Sequence, residues 1–530
     1  MNNERINIVG AGLGGLAAAI RLAEAGRPCR LISLQPSERA QSVLAEGGIN
    51  AALDLMGEGD TPEEHCADTL KGGVYLADPN AVAGLTRGAP DIVRWLAGLG
   101  VPFQMENGGM IQRSFGGQKK RRTAYARSST GKALMTALID AARRHEASGL
   151  IERWPHHAFA GLTVEGGVCV GLRVRDAWTG EGFALPGRVI LCSGGLNGFF
   201  PERTTGTVAN AGDVTATVFA QGVRLANLEF IQYHPTTIGI SGKRCLISEA
   251  ARGEGGRLCV RRGGELWYFM EELYPELGNL MPRDVVSREM TRVVRREDCE
   301  GQVYLDMRAL PAEIWARRLS DLREECRHYL AIDPAAELIP VEPGIHFFMG
   351  GIDVDANHRA SLPGLWAAGE CACQYHGANR LGANSMLGAI YGGQRAADDL
   401  MAQPGLDAGE PVSLGILPPM EAPGDDAFAL ELRDALLGGL GMLRDAARIE
   451  AALAAVDALA ARADTERCRN RLALGRAMLL AALSRRESRG AHTRTDFPER
   501  DEGFRKTTVI SRRGDAIAIE YRAIPEEVEA

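Results

Sequence analysis

The 530 residues are 45% apolar and 24% charged, the balance of an ordinary globular chain, and too many for one core, so two or three domains are expected. A net charge of −8 argues against a nucleic-acid or anionic-membrane partner, so an anionic substrate would have to be drawn in by a local basic cluster. No run approaches the roughly 18 uninterrupted apolar residues of a membrane span; the nearest, Leu472 to Leu483, is broken by Arg476 and reads as an amphipathic helix.

The start, Met1-Asn2-Asn3-Glu4-Arg5, lacks the cationic and apolar regions of a secretory signal, and a cytoplasmic location is expected. Ile6, Ile8 and Val9 then form a short apolar run of the buried parallel kind, followed by Gly10-Ala11-Gly12-Leu13-Gly14-Gly15, an alanine-rich helix over 16–25 and a second strand over 30–34. Asp78-Pro79 starts a helix that runs to Gly100 on an apolar face of Ile92, Val93 and Leu96. Strands follow through Val168 to Val174 and Val189 to Leu191, ending in Ser193-Gly194-Gly195. From about 233 to 347 the pattern turns irregular and reads as an inserted domain. Strand and glycine return at 364–370, and a linker over roughly 403–426 leads into alanine- and leucine-rich helices. The 11 cysteines include no C-x-x-C pair; Cys371 and Cys373 read as small buried residues, and no metal site is expected.

The glycine turn sits between a strand and a helix, the context a phosphate-binding turn requires. Gly10 permits the tight turn, Gly12 lets the backbone approach a pyrophosphate, and Gly15 lets the helix pack on the strand. The acidic residue that usually follows about 20 positions on is absent. The second strand ends Ile32-Ser33-Leu34-Gln35, leaving Ser33 as the nearest polar candidate.

Seven further blocks point one way. Ser42-Val43-Leu44-Ala45-Glu46-Gly47-Gly48-Ile49-Asn50 resembles the flavin loop of the succinate dehydrogenase, fumarate reductase and L-aspartate oxidase flavoproteins, where a serine commonly ends the second strand. His234-Pro235-Thr236-Thr237 and Ser248-Glu249-Ala250-Ala251-Arg252-Gly253 are similar to that family's substrate blocks, as are Arg283-Asp284-Val285-Val286-Ser287-Arg288 and His346-Phe347-Phe348-Met349-Gly350-Gly351. Glu370 and the run His376-Gly377-Ala378-Asn379-Arg380-Leu381-Gly382-Ala383-Asn384-Ser385 complete the resemblance, with Arg486 to His492 near the end. Independently of family, His234, His346 and Arg380 each abut a Gly- or Pro-rich turn and are suited to hold a dianion.

The resemblance implies an α/β fold: a Rossmann-type FAD-binding domain over 1–232 and 348–405, an α+β cap over 233–347, and a helical domain over 426–530. It also implies hydride transfer between flavin N5 and a C4 dicarboxylate. Arg283 matches the family's proton-transferring arginine, with Glu249 and Arg252 as its relay. His234, Ser248, His346 and Arg380 match the substrate clamp. Gly10, Gly12, Gly14, Gly15, Ser33, Ser42, Ala45, Glu46, Gly47, Gly48, Asp213, Glu370, Asn384 and Ser385 match the FAD contacts.

Three departures bear on function. Where membrane-linked members carry the histidine that attaches FAD covalently, this chain has Gln41, so non-covalent FAD is expected. Where L-aspartate oxidases carry a glutamate for the substrate ammonium, it has Phe115, which favours fumarate or succinate. The overall length and the run Ala226-Asn227-Leu228-Glu229-Phe230 pull towards the oxidase, and Ser128 replaces an aspartate usual in both. The electron partner stays open between an iron–sulfur protein, a soluble reductase and oxygen; any membrane association would run through a partner subunit.

Overall fold

A computed structural model describes residues 4–127, 129–240, 242–406, 409–422 and 424–526; Ser128 lies outside the described residues. A five-stranded parallel sheet runs Leu365–Ala367, Val189–Leu191, Ile6–Val9, Cys29–Ser33, Ile151–Pro155 in spatial order. Strand Ile6–Val9 is buried throughout, its Ile6, Ile8 and Val9 as a sheet covered on both faces requires, and its one polar residue, Asn7, donating to the Leu185, Pro186 and Gly187 carbonyls. Segments 175 residues and more apart in sequence therefore meet at one sheet, with Ile190 paired to both Ile8 and Trp366.

The glycine turn is set by packing before any ligand is considered. Gly10 has φ +112°, and a Cβ there would fall 2.1 Å from the Cys192 carbonyl oxygen; a Cβ on Gly15 would fall 1.8 Å from the Gly10 carbonyl. These absences of side chain let helix Leu13–Glu24 start directly off the strand. On that helix packs Asn384–Ala402, close enough that a Cβ on Gly393 would strike the Gly14 backbone. The helix expected at 78 runs Pro79–Gly98, its Asp78 carboxylate accepting from the Asn80 and Ala81 N–H groups.

A four-stranded antiparallel sheet, ordered Val412–Ile416, Glu181–Pro186, Val168–Asp176, His157–Glu165, flanks the parallel one. Between 231 and 348 the chain builds a six-stranded antiparallel sheet whose long strands are Ile231–Ile240 and Ile339–Phe348, with helix Arg283–Val293 against them. The C-terminal region contains the expected helices, Asp425–Leu440, Ala446–Leu459 and Glu466–Ser484. It is not helical to its end. Lys506–Arg513 and Ala516–Ala523 form a hairpin that joins Leu225–Ala226 in a second mixed sheet. The alternation Ala516-Ile517-Ala518-Ile519 and the β-branched run Thr507-Thr508-Val509-Ile510 explain it. Among the described residues, no helix is long and apolar enough to cross a membrane.

Candidate active site

A cavity of about 810 Å³ runs from the glycine turn to the junction of the parallel sheet with the 231–348 sheet. At one end it is lined by Gly10, Gly12, Gly14, Ser33, Ser42 and Glu370. The N-terminus of helix Leu13–Glu24 opens here, with no acidic residue in its first turn and no side-chain cap from Gly12. The Leu13 N–H is met by Ser42 Oγ at 3.3 Å. A glycine cradle with free N–H groups at a helix N-terminus fits a pyrophosphate. Glu370 accepts from the Phe348 N–H (3.1 Å) and is pushed up to about 7 by burial. It lies against Gly195, where no side chain would fit. These residues fit the dinucleotide part of FAD.

The middle of the cavity carries Ala45, Glu46, Gly47, Gly48, Phe115 and Ser385, and Gln41, whose carboxamide oxygen accepts the Thr207 N–H. Asp213 also lines it, but its carboxylate already accepts from Arg467 (2.8 Å) and Arg471 (3.3 Å) on helix Glu466–Ser484. One expected contact is corrected. The Asn384 side chain is turned away from the cavity: its oxygen accepts from Asn50 (2.8 Å) and meets His65 Nε2 (3.0 Å), and its nitrogen donates to Thr69 (2.9 Å). It is the first residue of helix Asn384–Ala402, and the Asn50 amide that donates to it also donates to the Gly382 carbonyl (2.8 Å), holding the preceding 382–383 turn from behind. Gly15 likewise lies beneath the turn, outside the lining, as its packing role implies.

At the far end Glu249 joins two arginines. Arg283 donates to Glu249 Oε2 from Nε (3.0 Å) and Nη2 (2.7 Å), and Arg252 Nη2 donates to Oε1 (3.2 Å). Burial pushes the Glu249 carboxyl up, but Arg283 and Arg252 outweigh it and hold it below the ordinary range. Arg283 starts helix Arg283–Val293 after Pro282, which aims its side chain back at strand Ile231–Ile240. Arg252 sits behind Glu249, outside the lining, held by the Asn279 carbonyl. Arg380 stacks 4.5 Å over the Phe347 ring, and its Nε has no protein partner. Burial, then Arg283, pushes Arg380 down to about 9.

His234 and His346 meet with ring centroids 5.2 Å apart, and burial lowers both rings well below the ordinary histidine value, with Arg283 adding to it. Ser248 lines the cavity beside them. Phe115 packs edge-close to Gly382, where a Cβ would fall 2.6 Å from its ring, and the Arg113 guanidinium lies 5.6 Å from the ring centroid.

Residues brought together here from 46, 115, 234, 249, 283, 346 and 380 are those expected from sequence. Gln232 was missed. It accepts from Arg283 Nη1 (3.2 Å) and donates to the Asn379 side chain (2.9 Å) and the Arg380 carbonyl (2.8 Å), joining two arms of the site. It lies two residues before His234 on one strand, hence on the same face, and that spacing was the available signal. Thr205, bonded to His346, had none.

Comparison with known proteins gives the family. Residues 6–386 match the FAD binding domain family, and 460–529 match the family described as fumarate reductase flavoprotein C-term. The succinate dehydrogenase flavoprotein subunit of Bacillus subtilis is 35% identical over 550 residues, covering 96% of this chain and 94% of its own. An L-aspartate oxidase of Streptomyces coelicolor is 34% identical over 561 residues, covering 98% and 93%. Among solved structures, E. coli quinol fumarate reductase superposes with a TM-score of 0.88 at 28% identity, covering 98% and 96%. A glycine cradle that fits a dinucleotide, opening onto an Arg–Glu–Arg cluster, together with these matches over nearly the whole chain, makes this protein an FAD-dependent oxidoreductase of the succinate dehydrogenase/fumarate reductase flavoprotein family, to which L-aspartate oxidases also belong.

Proposed function

We propose that the chain moves a hydride between FAD and a C4 dicarboxylate, with fumarate reduction favoured and succinate oxidation its reverse. The observation that carries this reading is charge balance. Three buried guanidiniums, Arg252, Arg283 and Arg380, are met by one fully ionised carboxylate, Glu249, which is paired with the first two, and by Glu370, pushed up to about 7, near the third; the two histidines beside them are neutral. A buried surplus of positive charge is expensive unless countered. A dianion counters it; L-aspartate, with its ammonium, brings one net charge less. The wall at Phe115, with Arg113 behind it, is likewise unfavourable to an ammonium.

FAD held by Gly10, Gly12, Ser33, Ala45 to Gly48, Glu370 and Ser385 would supply the hydride exchange at N5. The chain's own groups do the rest. Arg380 grips one substrate carboxylate, and His234, His346 and Ser248 the other, which fixes the C=C bond between the cofactor and Arg283. As the C=C π bond opens and one carbon gains hydride, Arg283 gives a proton to its neighbour, forming succinate. A guanidinium is too weak an acid to do this unaided; Glu249, bonded to Arg283 and Arg252 together, is the group that returns the proton. The Gln41 carboxamide has no nucleophilic nitrogen for the flavin, so FAD is bound non-covalently. Recycling the flavin calls for an electron-transfer partner, iron–sulfur or other. In this reading 1–232 with 348–405 form the FAD-binding domain, 233–347 the cap and 426–530 the C-terminal domain.

A second reading, L-aspartate oxidation, rests on Glu46. Its carboxyl lines the same cavity, bonded to the Ser248 hydroxyl; pushed up to about 8, it becomes a partner for an ammonium once ionised. Purified holoenzyme assayed for fumarate reduction with a low-potential dye, succinate oxidation, and peroxide formation from L-aspartate separates the two. Fumarate reduction should be fastest. Turnover of L-aspartate with oxygen faster than fumarate reduction overturns the first reading and installs the second.

A further inference from the structure

A neutral imidazole grips a carboxylate only through a nitrogen that carries hydrogen, so the tautomers of His234 and His346 decide whether either can act as a clamp. For His234 the backbone decides. Its Nδ1 lies 3.2 Å from the Thr236 carbonyl and 3.3 Å from the Thr236 N–H; the carbonyl already accepts from the Ile247 N–H (2.9 Å) and the Thr236 hydroxyl donates to the Ile247 carbonyl (2.8 Å), so the Thr236 N–H is the group that gains a partner only when Nδ1 is an acceptor. Hydrogen on Nε2 satisfies all of these groups, and Nε2 is buried without a protein partner.

His346 lacks such a backbone partner. Its Nδ1 lies 2.7 Å from Thr205 Oγ1, and among the described residues that hydroxyl has no second protein partner. The Thr205 N–H donates to the Ile345 carbonyl (2.9 Å), so the residue is tied to the strand that carries His346. A hydroxyl can rotate to offer either its proton or its lone pair. Only by donating to Nδ1 does it leave hydrogen on Nε2, matching the orientation His234 receives from its backbone.

We infer that Thr205 is a positioning residue, whose hydroxyl donates to His346 Nδ1 and fixes the ring as an Nε2–H donor to a substrate carboxylate. Without it the ring is free to place its hydrogen on Nδ1 and present a lone pair to the dianion. This deepens the dicarboxylate reading and rests on it.

The test compares Thr205→Val, nearly the same shape without the hydroxyl, with Thr205→Ser, which keeps it. Malonate, a dicarboxylate with neither a double bond nor an ammonium, is titrated into the FAD-loaded enzyme and followed by flavin absorbance. Thr205→Val should weaken malonate roughly tenfold or more and raise the fumarate KM comparably, at unchanged FAD content, the loss typical of one hydrogen bond to a charged group. Thr205→Ser should stay within about threefold of wild type. Thr205→Ala replaces the valine variant should that one lose FAD. Wild-type affinity in the valine or alanine variant, or equal weakening in the serine variant, overturns the inference. A wild-type enzyme that binds no malonate instead overturns the dicarboxylate reading, and the inference with it.

Discussion

Around Glu487 the chain buries Arg485, Arg489, Arg444 and Arg494; around Glu249 it buries Arg252, Arg283 and Arg380. In the first group every guanidinium nitrogen has an acceptor. Arg485 reaches Glu229, Glu487, Thr508 and two carbonyls; Arg494 reaches Asp496 and the C-terminal carbonyls of helix Glu466–Ser484; Arg444 reaches carbonyls and His492. His492 there has both ring nitrogens engaged. In the second group Arg252 Nε, Arg380 Nε and His234 Nε2 have no protein partner. Similar residues at similar burial thus do opposite work. Guanidiniums that are all satisfied join the C-terminal segment to strand and hairpin, whereas Arg380 Nε and His234 Nε2, both on the cavity, keep unpaired nitrogens that a ligand can meet.

The comparison breaks most visibly through stability. Glu487→Ala would leave Arg485 and Arg489 buried without their shared carboxylate, and should cost about 3–5 kcal/mol in denaturant unfolding, with loss of FAD on mild heating. A cost near zero would mean the backbone carbonyls suffice and the cluster is not the joint described here.

Arg380→Ala is the counterpart. With one long hydrogen bond of 3.4 Å and a stack on Phe347 set against an incompletely countered buried charge, Arg380 contributes less to the folded state than the Glu487 cluster, so unfolding should change by less than about 2 kcal/mol. Fumarate kcat/KM should fall roughly 10- to 150-fold, the worth of a charge-assisted bond, much of it in KM. Melting curves paired with steady-state kinetics check both halves; a melting shift like that of Glu487→Ala would erase the distinction between the clusters.

The smallest effect is in pH. Glu46 is pushed up to about 8, by burial first and by Glu325 next, against the pull of Arg113 and the Ser248 hydroxyl. It is neutral at pH 7 and ionised by pH 9, so a negative charge enters beside the dianion as pH rises. The fumarate KM should climb roughly tenfold over that interval, and Glu46→Gln should make the rise shallower, leaving only what Arg380, pushed down to about 9, contributes near the upper end. A KM that is level in the wild type, or equally steep in the variant, would remove Glu46 from the substrate's surroundings.

How much of this was legible beforehand follows from how each feature is encoded. The strand–turn–helix at 6–24 and the helix at 79–98 are local: apolar runs, glycine spacing and an N-cap specify them within a few residues. The blocks around 46, 249, 283 and 380 are likewise contiguous and were readable one at a time. The C-terminal hairpin was overlooked because long alanine-rich helices precede it and its alternating pattern is short. Asn384 was assigned by its block to the cofactor, but the direction of a side chain at a helix start depends on what packs behind, here Asn50, His65 and Thr69.

Sequence alone therefore determined the elements, the chemistry of the site residues and the absence of a nucleophile at position 41, because these depend on residue identity and near neighbours. Only the tertiary structure decided which charges are balanced and which are left over. Glu249 comes between Arg283 and Arg252, Gln232 joins Arg283 to the 379–380 segment, and Thr205 reaches His346 across 141 positions of chain. Desolvation and Coulomb energy depend on distances in space, and no spacing along the chain encodes them.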